Sequence, residues 1–365
     1  MSAESPVAPL PATARVDLHL HTLASDGAWT PAALVDHLAS NDFTVVAVCD
    51  HDTQRSVAEV TRRAAKRGIT VIPGVEVTSR WNDRQLHVLV YGIAPDRSDD
   101  AVRPFHSLLA DLDASLMNAA EDARRRVEGS GRPLPSLEEV VAGRPMWPYH
   151  VLISMIREGH ARGLKDAAEL VTELGGTFTA DEPLSRVVDA AHAAGGVAVI
   201  AHPGRIDAVG ILTEEDLDRI LAEGIAVDGI EAHYRSYTDD QTEHYRTVAA
   251  ERGLLVSCGS DSHAPRQPVD PRPWRATWCS DLLGRLGIAV ADPEEGPVWE
   301  RGMDTNAAPP PVKTEPETAE APTEIGPDGL PVVRDEASGQ AESIGEQIME
   351  AEAEREARER HESPA

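Results

Sequence analysis

The sequence predicts an α/β fold: a barrel-like sheet of seven strands, a helical insertion between the fourth and fifth, and a disordered acidic C-terminal tail. Three observations predict it. Seven short β-branched runs end in polar residues, and helical patterns separate most of them, as in parallel strands joined by right-handed crossovers. That alternation breaks over residues 94–182, which read as several helices punctuated by Pro and Gly. Finally, the 365-residue chain carries a net charge of −28, and residues 291–365 hold 20 acidic and 6 basic residues, ten of the 27 prolines and one aromatic, Trp299. Half of the net charge thus sits on a segment with too little apolar surface to form a core.

Residues 1–14 are expected to be disordered, and residues 15–290 suffice for one large α/β domain. The strands are read at 15–20, 44–49, 70–77, 86–91, 197–201, 229–232 and 254–258. Thr30-Pro31 is an N-cap followed by an N1 proline and opens a helix to about Ser40. A second helix is read over 53–66, closed by Gly68. A third spans 181–194, with Pro183 near its start and Gly195-Gly196 at its end. Thr213 caps the acidic first turn Glu214-Glu215-Asp216, and Gly224 stops that helix. In the tail, residues 342–362 have helix propensity but a thin apolar stripe (Ile344, Ile348, Ala351), as in a solvated helix.

Composition excludes several classes. No apolar run reaches the ~18 residues of a membrane span, and the N-terminal segment lacks the basic and apolar regions of a secretory signal. Cys49, Cys258 and Cys279 are odd in number and lack CxxC spacing, so neither a disulfide framework nor a cysteine-rich zinc site is expected; a reducing cytoplasm is. The acidic balance offers no footprint for long nucleic acids.

Chemistry is concentrated at the strand ends. His19, His21, His51, His87, His202 and His263 fall there, with Asp26, Glu76 and Asp261 beside them. In a parallel barrel these ends converge on one face. Nine nitrogen and oxygen ligands without cysteine suit Zn²⁺, Mn²⁺ or Fe²⁺. His19 and His21, two apart, share one face of a strand. Asp50-His51-Asp52 leaves an apolar strand directly, so His51 is read as a ligand and Asp50 as the carboxylate orienting an imidazole. Glu76 lies between Val75 and Val77, where an unpaired carboxylate is costly and a cation partner is the economical explanation. His233 follows a strand and borders the pocket or the core with equal weight. Cys49 and Cys258 are read as small packing residues, and the helical and tail histidines as surface.

DLHLHTLASDG, AVCDHDT, IPGVEVT, LHVLVYG, VAVIAHPGR and CGSDSHAP, in this order, resemble the motifs of the PHP (polymerase and histidinol phosphatase) superfamily of metal-dependent phosphoesterases. The resemblance covers roughly residues 15–290. It implies a distorted seven-stranded (β/α) barrel holding two or three divalent ions, Mn²⁺ foremost. It also implies ligand sets: His19, His21, Glu76 and Asp261 for one ion; Glu76, His87 and His202 for a second; Asp26, His51 and His263 for a third. The stretch from Gly229 to Pro265 resembles the stand-alone branch that dephosphorylates 3′,5′-nucleoside bisphosphates, some of whose members trim short RNA 5′ ends. One departure concerns the insertion, where that branch carries a Gly-Arg-Pro-His segment. Here the chain reads GRPMWPYHVLISMI, so the histidine is His150 after a short insertion, or the contact is absent.

The implied reaction is hydrolysis of a phosphate ester by water activated between divalent ions. Arg205, three residues after His202, is placed to bind the phosphate; Arg144 and His150 are weaker candidates for a second phosphate or a base. The expected substrate is a small phosphorylated metabolite, with short RNA ends as the alternative, no long nucleic-acid tract and no membrane. A reading of another class is a metal-binding interaction module whose acidic tail faces a partner of unknown kind.

Overall fold

A computed structural model describes residues 8–177, 180–205, 211–265 and 271–303, together with the backbone of 332–334 and 341–343. The barrel strands are β1 (Arg15–Leu20), β2 (Phe43–Val48), β3 (Thr70–Trp81), β4 (Arg84–Tyr91), β6 (Val197–Ile200), β7 (Gly229–Tyr234) and β8 (Leu255–Gly259). Two-residue strands β5 (Glu182–Pro183) and β9 (Trp274–Arg275) add to β3 and β1. The sheet order is β8-β7-β6-β4-β3-β2-β1-β9. The ends of β8 and β1 also meet: the Asp261 N–H donates to the His19 carbonyl at 2.8 Å and the His21 N–H to the Ser262 carbonyl at 3.0 Å. The sheet is therefore a nearly closed barrel.

All seven expected strands are present, and one runs the other way. β4 is antiparallel to both β3 and β6. The reason is local: β3 continues past Val77 to Trp81, and Asn82-Asp83 turns it straight into β4, with Asn82 at φ 53°. A two-residue loop returns the chain antiparallel, whereas a parallel pair needs a long crossover. Alternation along this hairpin sorts the side chains. Val75, Val77, Val88 and Val90 pack outward against the helical layer, and Glu76, His87, Leu89 and Tyr91 face the other way.

The helices follow their capping signals. α1 (Pro31–Ser40) starts at Thr30, whose hydroxyl accepts the Ala33 N–H, and α8 (Glu214–Ala222) starts with a Thr213/Asp216 capping box. α9 (Asp239–Arg252) ends at Gly253 with φ 65°. α2 (Val57–Ala65) begins later than expected, because the preceding side chains serve tertiary contacts: Gln54 donates to the Ile93 carbonyl at 2.8 Å and Ser56 to Asp50. α7 (Leu184–Ala193) likewise begins after Pro183, since Glu182–Pro183 pairs with Ser79–Arg80 and Arg80 binds Asp181 at 3.0 Å. A one-turn 3₁₀ segment, Ala276–Cys279, leads into α10 (Ser280–Arg285).

The insertion is helical as expected: α3 (Arg103–Gly129), α4 (Leu137–Val141), α5 (Pro148–Arg157) and α6 (Leu164–Glu173). It has its own apolar core, built on Val127, Leu137, Val151, Met155 and Val171. Phe105, Leu108 and Leu112 of α3 share a buried apolar cluster with Val88, Val90 and Val187. Polar ties add to this: Arg55 with Asp113 at 2.7 Å and Arg144 with the Leu23 carbonyl at 2.8 Å, while Trp147 inside the insertion holds Asp113 at 2.8 Å and lies under the Arg55 guanidinium.

Both ends differ from expectation where they are described. Leu10 bonds Ala289 and Ala291 through its backbone, each at 2.8 Å, and the Ala14 carbonyl accepts the Ala276 N–H. Trp299 and Met303 pack on the core under β1 and α10, and Arg301 pairs with Asp240 and Glu243 on α9. Short apolar residues suffice here because the barrel supplies the rest of the buried surface. In the tail, Val332–Arg334 (β10) pairs antiparallel with Ala341–Ser343 (β11), which takes the first two positions of the helix expected at 342–362; positions 344–362 lie outside the described residues. Among the described residues, no helix is long and apolar enough to cross a membrane.

Leu89 is wholly buried on the Glu76-facing side of β4. Truncation to alanine is expected to cost about 2–5 kcal/mol of unfolding free energy, measured by denaturant titration; a loss below about 1 kcal/mol would contradict this packing.

Candidate metal centre

The nine expected ligands gather in one cluster around Glu76, Asp26 and Asp261. The Glu76 carboxylate is wholly buried, and its Oε2 lies 3.0 Å from His19 Nε2, 3.2 Å from His21 Nε2 and 3.4 Å from His51 Nε2. Its Oε1 lies 3.0 Å from both His87 Nδ1 and His202 Nε2. Asp261 Oδ1 lies 3.1 Å from His21 Nε2, 3.3 Å from His263 Nδ1 and 3.6 Å from His19 Nε2. Asp26 Oδ2 closes the ring, 3.4 Å from His263 Nε2 and 3.9 Å from His51 Nε2. Three groups therefore have the spacing to hold an ion: His19, His21, Glu76 and Asp261; His21, Asp26, His51 and His263; and His51, Glu76 and His87. The first contains the set implied by the family resemblance unchanged. The others differ in that His21 joins Asp26, and His51 stands with Glu76 and His87 where His202 was expected.

The residues fit divalent cations by their unmet bonding. Both ring nitrogens of His21, His87 Nδ1 and Asp261 Oδ1 are buried without a hydrogen-bond partner. Their neighbours are close but misaligned for hydrogen bonds, so the atoms aim at shared space rather than at each other. Buried polar atoms left in that state are costly. An oxygen- and nitrogen-coordinated ion is the partner that suits them all.

Electrostatics say the same. Burial alone would push protons off the histidines, yet Glu76 and Asp261 outweigh it and raise His21 to about 10; Glu76, Glu231 and Asp261 hold His19 well above its ordinary value. Burial would raise Glu76, Asp261 and Asp26, but the surrounding imidazoles hold all three well below the carboxylate range. His51 goes the other way, down to about 3, because burial and the neighbouring His21 and His87 outweigh its carboxylates.

Buried carboxylates of a second kind shape the loops. Asp50 touches no imidazole among the described contacts, contrary to expectation. It accepts the Thr22 N–H at 2.6 Å and the hydroxyls of Thr22, Ser25 and Ser56, so it fixes the loop between His21 and Asp26. The sequence hides this because Thr22 and Ser25 lie 28 and 25 residues before Asp50. Asp52 binds the Thr78 N–H and hydroxyl at 2.7 and 2.8 Å. Asp17 accepts the N–H groups of Ser260 and Arg272 at 3.0 and 2.8 Å across the barrel seam. Asp52, His202 and Asp261 all have positive φ, 54°, 30° and 52°, backbone strain that persists where surroundings over-determine it.

Glu231 was missed by the sequence reading. It is wholly buried on β7, with Oε1 3.1 Å from His19 Nδ1 and Oε2 accepting the His202 N–H at 2.8 Å. Its flanking Ile230 and Ala232 give it the same pattern that singled out Glu76. Tyr234 and Arg235 were also missed; they reach Asp261 Oδ2 at 2.7 and 2.9 Å.

The remaining candidates are dispersed. Arg205 Nη1 lies 3.2 Å from Asp261 Oδ2, at the edge of the site. Arg144 holds the Val140, Val141 and Leu23 carbonyls. His150 is buried in the first turn of α5, where its Nδ1 accepts the Trp147 N–H at 3.0 Å while its Nε2 is buried without a hydrogen-bond partner, and burial with Arg144 nearby lowers its pKa to about 4. The proline at the start of α5 turns this side chain back onto its own N-cap. His233 is core, stacked on Trp278 and bonded to Arg246 at 2.9 Å.

Comparison with known proteins agrees with this geometry. Residues 17–164 match the PHP domain family. A 3′,5′-nucleoside bisphosphate phosphatase of Chromobacterium violaceum is 32% identical over 265 residues, covering 69% of this chain and 88% of the relative. The 5′-3′ exoribonuclease Rnm of Escherichia coli is 27% identical, covering 68% and 85%. A solved structure from Bifidobacterium adolescentis, assigned as a metal-dependent phosphoesterase, is 26% identical with a TM-score of 0.62, covering 78% and 99%.

Because His21 titrates at about 10 when no ion is bound, it carries a proton at pH 7 that a cation must displace. Binding of Zn²⁺ or Mn²⁺ to the metal-free chain at pH 7 is expected to release protons, seen as a buffer-dependent binding enthalpy in calorimetry. Enthalpies independent of the buffer would contradict it.

Proposed function

The chain belongs to the PHP-domain family and is a metal-dependent hydrolase of phosphate esters; on that premise we propose that it removes the 3′-phosphate from 3′,5′-nucleoside bisphosphates or a closely related small phosphorylated metabolite. The observation that carries this reading is the gathering of nine ligand-type side chains, Glu76 among them, in one buried cluster, in a chain whose relative at 32% identity acts on that substrate. His19, His21, Glu76 and Asp261 hold one ion, Glu76, His87 and His202 a second, and Asp26, His51 and His263 a third, with Mn²⁺ the preferred metal. Divalent ions held so close together supply a water acidified towards neutral pH and neutralise the phosphoryl oxygens.

The protein's own groups supply position. Tyr234, Arg235 and Arg205 all bind Asp261 Oδ2, which leaves Oδ1 facing His19, His21 and His263. The ester enters on the side of Asp26, His51 and His263, whose side chains are 32, 21 and 25% exposed against 0–1% for His19, His21 and Glu76. Arg205, 30% exposed at this edge, takes a non-bridging phosphate oxygen and offsets charge that builds there during in-line displacement. Three cysteines, all free thiols, support a reducing, cytoplasmic setting.

A second reading is 5′-3′ trimming of short RNA, favoured by the exoribonuclease relative at 27% identity. The chemistry is the same and the substrate longer. The net charge of −28 weighs against an extended polyanion track, though not against an ester at the ions themselves.

Phosphate release from a 3′,5′-bisphosphonucleotide should require added Mn²⁺ and vanish with EDTA; release independent of metal would falsify the proposal. A 5′-phosphorylated oligonucleotide hydrolysed faster than the bisphosphonucleotide would select the second reading. His202→Ala is expected to lower kcat/KM at least about 100-fold, since loss of even a ligand's supporting partner costs 10–100-fold. For Arg205→Ala a fall of about 10²-fold is expected, concentrated in kcat if the contact strengthens in the transition state; unchanged kinetics would remove Arg205 from the site.

A further inference from the structure

We propose that Glu231 is a positioning residue that governs two ions at once, by fixing the ring of His19 and the backbone of His202. The inference rests on the reading of His19 and His202 as ligands of different ions. Glu231 itself is absent from every group with ligand spacing among the described residues, and its two oxygens face His19 and the His202 backbone instead.

The first contact sets a tautomer. Glu231 Oε1 lies 3.1 Å from His19 Nδ1, with both side chains wholly buried. A carboxylate only accepts, so Nδ1 must carry the proton and Nε2 is the nitrogen left for an ion. That nitrogen points at Glu76 Oε2 and Asp261 Oδ1, 3.0 and 3.6 Å away. A carboxylate behind a ligating imidazole also raises its basicity and locks its plane.

The second contact sets a backbone. His202 sits at φ 30°, a region that residues with a Cβ occupy only when their surroundings hold them there. Its N–H is buried at the end of β6 and donates to Glu231 Oε2 at 2.8 Å. In this conformation the ring reaches Glu76 Oε1 at 3.0 Å. One side chain therefore places ligand atoms on opposite oxygens of Glu76.

The third observation is the path between strands. Glu231 is on β7, and His19 is on β1, with β8 between them. The reach is open only at Gly259: a Cβ there would stand 2.2 Å from His19 Cβ and 2.4 Å from Glu231 Oε1. Glycine at this position is what lets the carboxylate cross the seam.

The test uses the full chain and Glu231→Gln, which keeps the shape and loses one acceptor. Chelator competition with Zn²⁺ should show the two ions that share Glu76 weakened together by about 10- to 100-fold, with the third, at Asp26, His51 and His263, retained. Kinetically, kcat should fall while KM for the ester changes little, and the circular dichroism spectrum should stay native. Zn²⁺ affinities within twofold of the parent would overturn the proposal. Should Glu231→Gln not fold, ¹H–¹⁵N spectra of the Zn²⁺-loaded parent decide it: His19 should show a protonated Nδ1 and a ligated Nε2, and the opposite tautomer refutes the assignment. Absence of stoichiometric Zn²⁺ binding by the parent would instead sink the ligand reading and this inference with it. Normal binding by both proteins would remove Glu231 alone.

Discussion

A single buried carboxylate organises this protein. Glu76 lies at the middle of the hairpin formed by β3 and β4, and five imidazoles approach its two oxygens within 3.4 Å. An ionised group so far from water is tolerated only when its neighbours neutralise it. The end of each contributing strand, from β1 round to β8, therefore has to deliver a nitrogen or oxygen to the same small volume. In the absence of cations the cluster balances itself with protons, which is why the imidazoles of His19 and His21 are held charged and the carboxylates depressed. Cations do the same task with more charge and better directed bonds.

Delivering those atoms strains the loops, and a set of acceptor carboxylates absorbs the strain. Asp17, Asp50, Asp52 and Glu231 are all buried, and each binds at least one backbone N–H, three of them just past a strand end and one, that of Thr78, within β3. An unpaired buried N–H costs about 1–3 kcal/mol, so these pairings decide which loop conformations survive. The positive φ values of Asp52, His202 and Asp261 belong to this network. The site is thus a double layer, with an inner ring facing the ions and an outer ring of acids holding the backbone.

The helical insertion folds around an apolar core of its own. Its grip on the barrel is both apolar, with Phe105, Leu108 and Leu112 of α3 in one buried cluster with Val88, Val90 and Val187, and polar, through Arg55, Asp113 and Arg144. Departure from the family's Gly-Arg-Pro-His segment has a structural consequence here. Met146 and Trp147 lengthen the approach to α5, and His150 caps the first turn of that helix through Nδ1.

The sequence by itself determined which ligand-type residues meet in one cluster and most of the strands that present them. His19, His21, Asp26, His51, Glu76, His87, His202, Asp261 and His263 were all legible because each interrupts or ends an apolar strand, and a polar group in that position must have a reason. Capping chemistry likewise fixed α1 and α8 in advance, since a Thr at the N-cap acts within three residues. Tertiary structure decided what depended on distant partners. The direction of β4 followed from a two-residue turn within an otherwise parallel pattern. Asp50 became a loop clamp rather than an imidazole partner because Thr22, Ser25 and Ser56 meet it in space. His150 Nδ1 met the Trp147 N–H, and Glu231 found His19 across a glycine on the intervening strand. Each of these outcomes is a hydrogen bond between residues remote in sequence or a turn of a few residues, and periodicity carries no information about either.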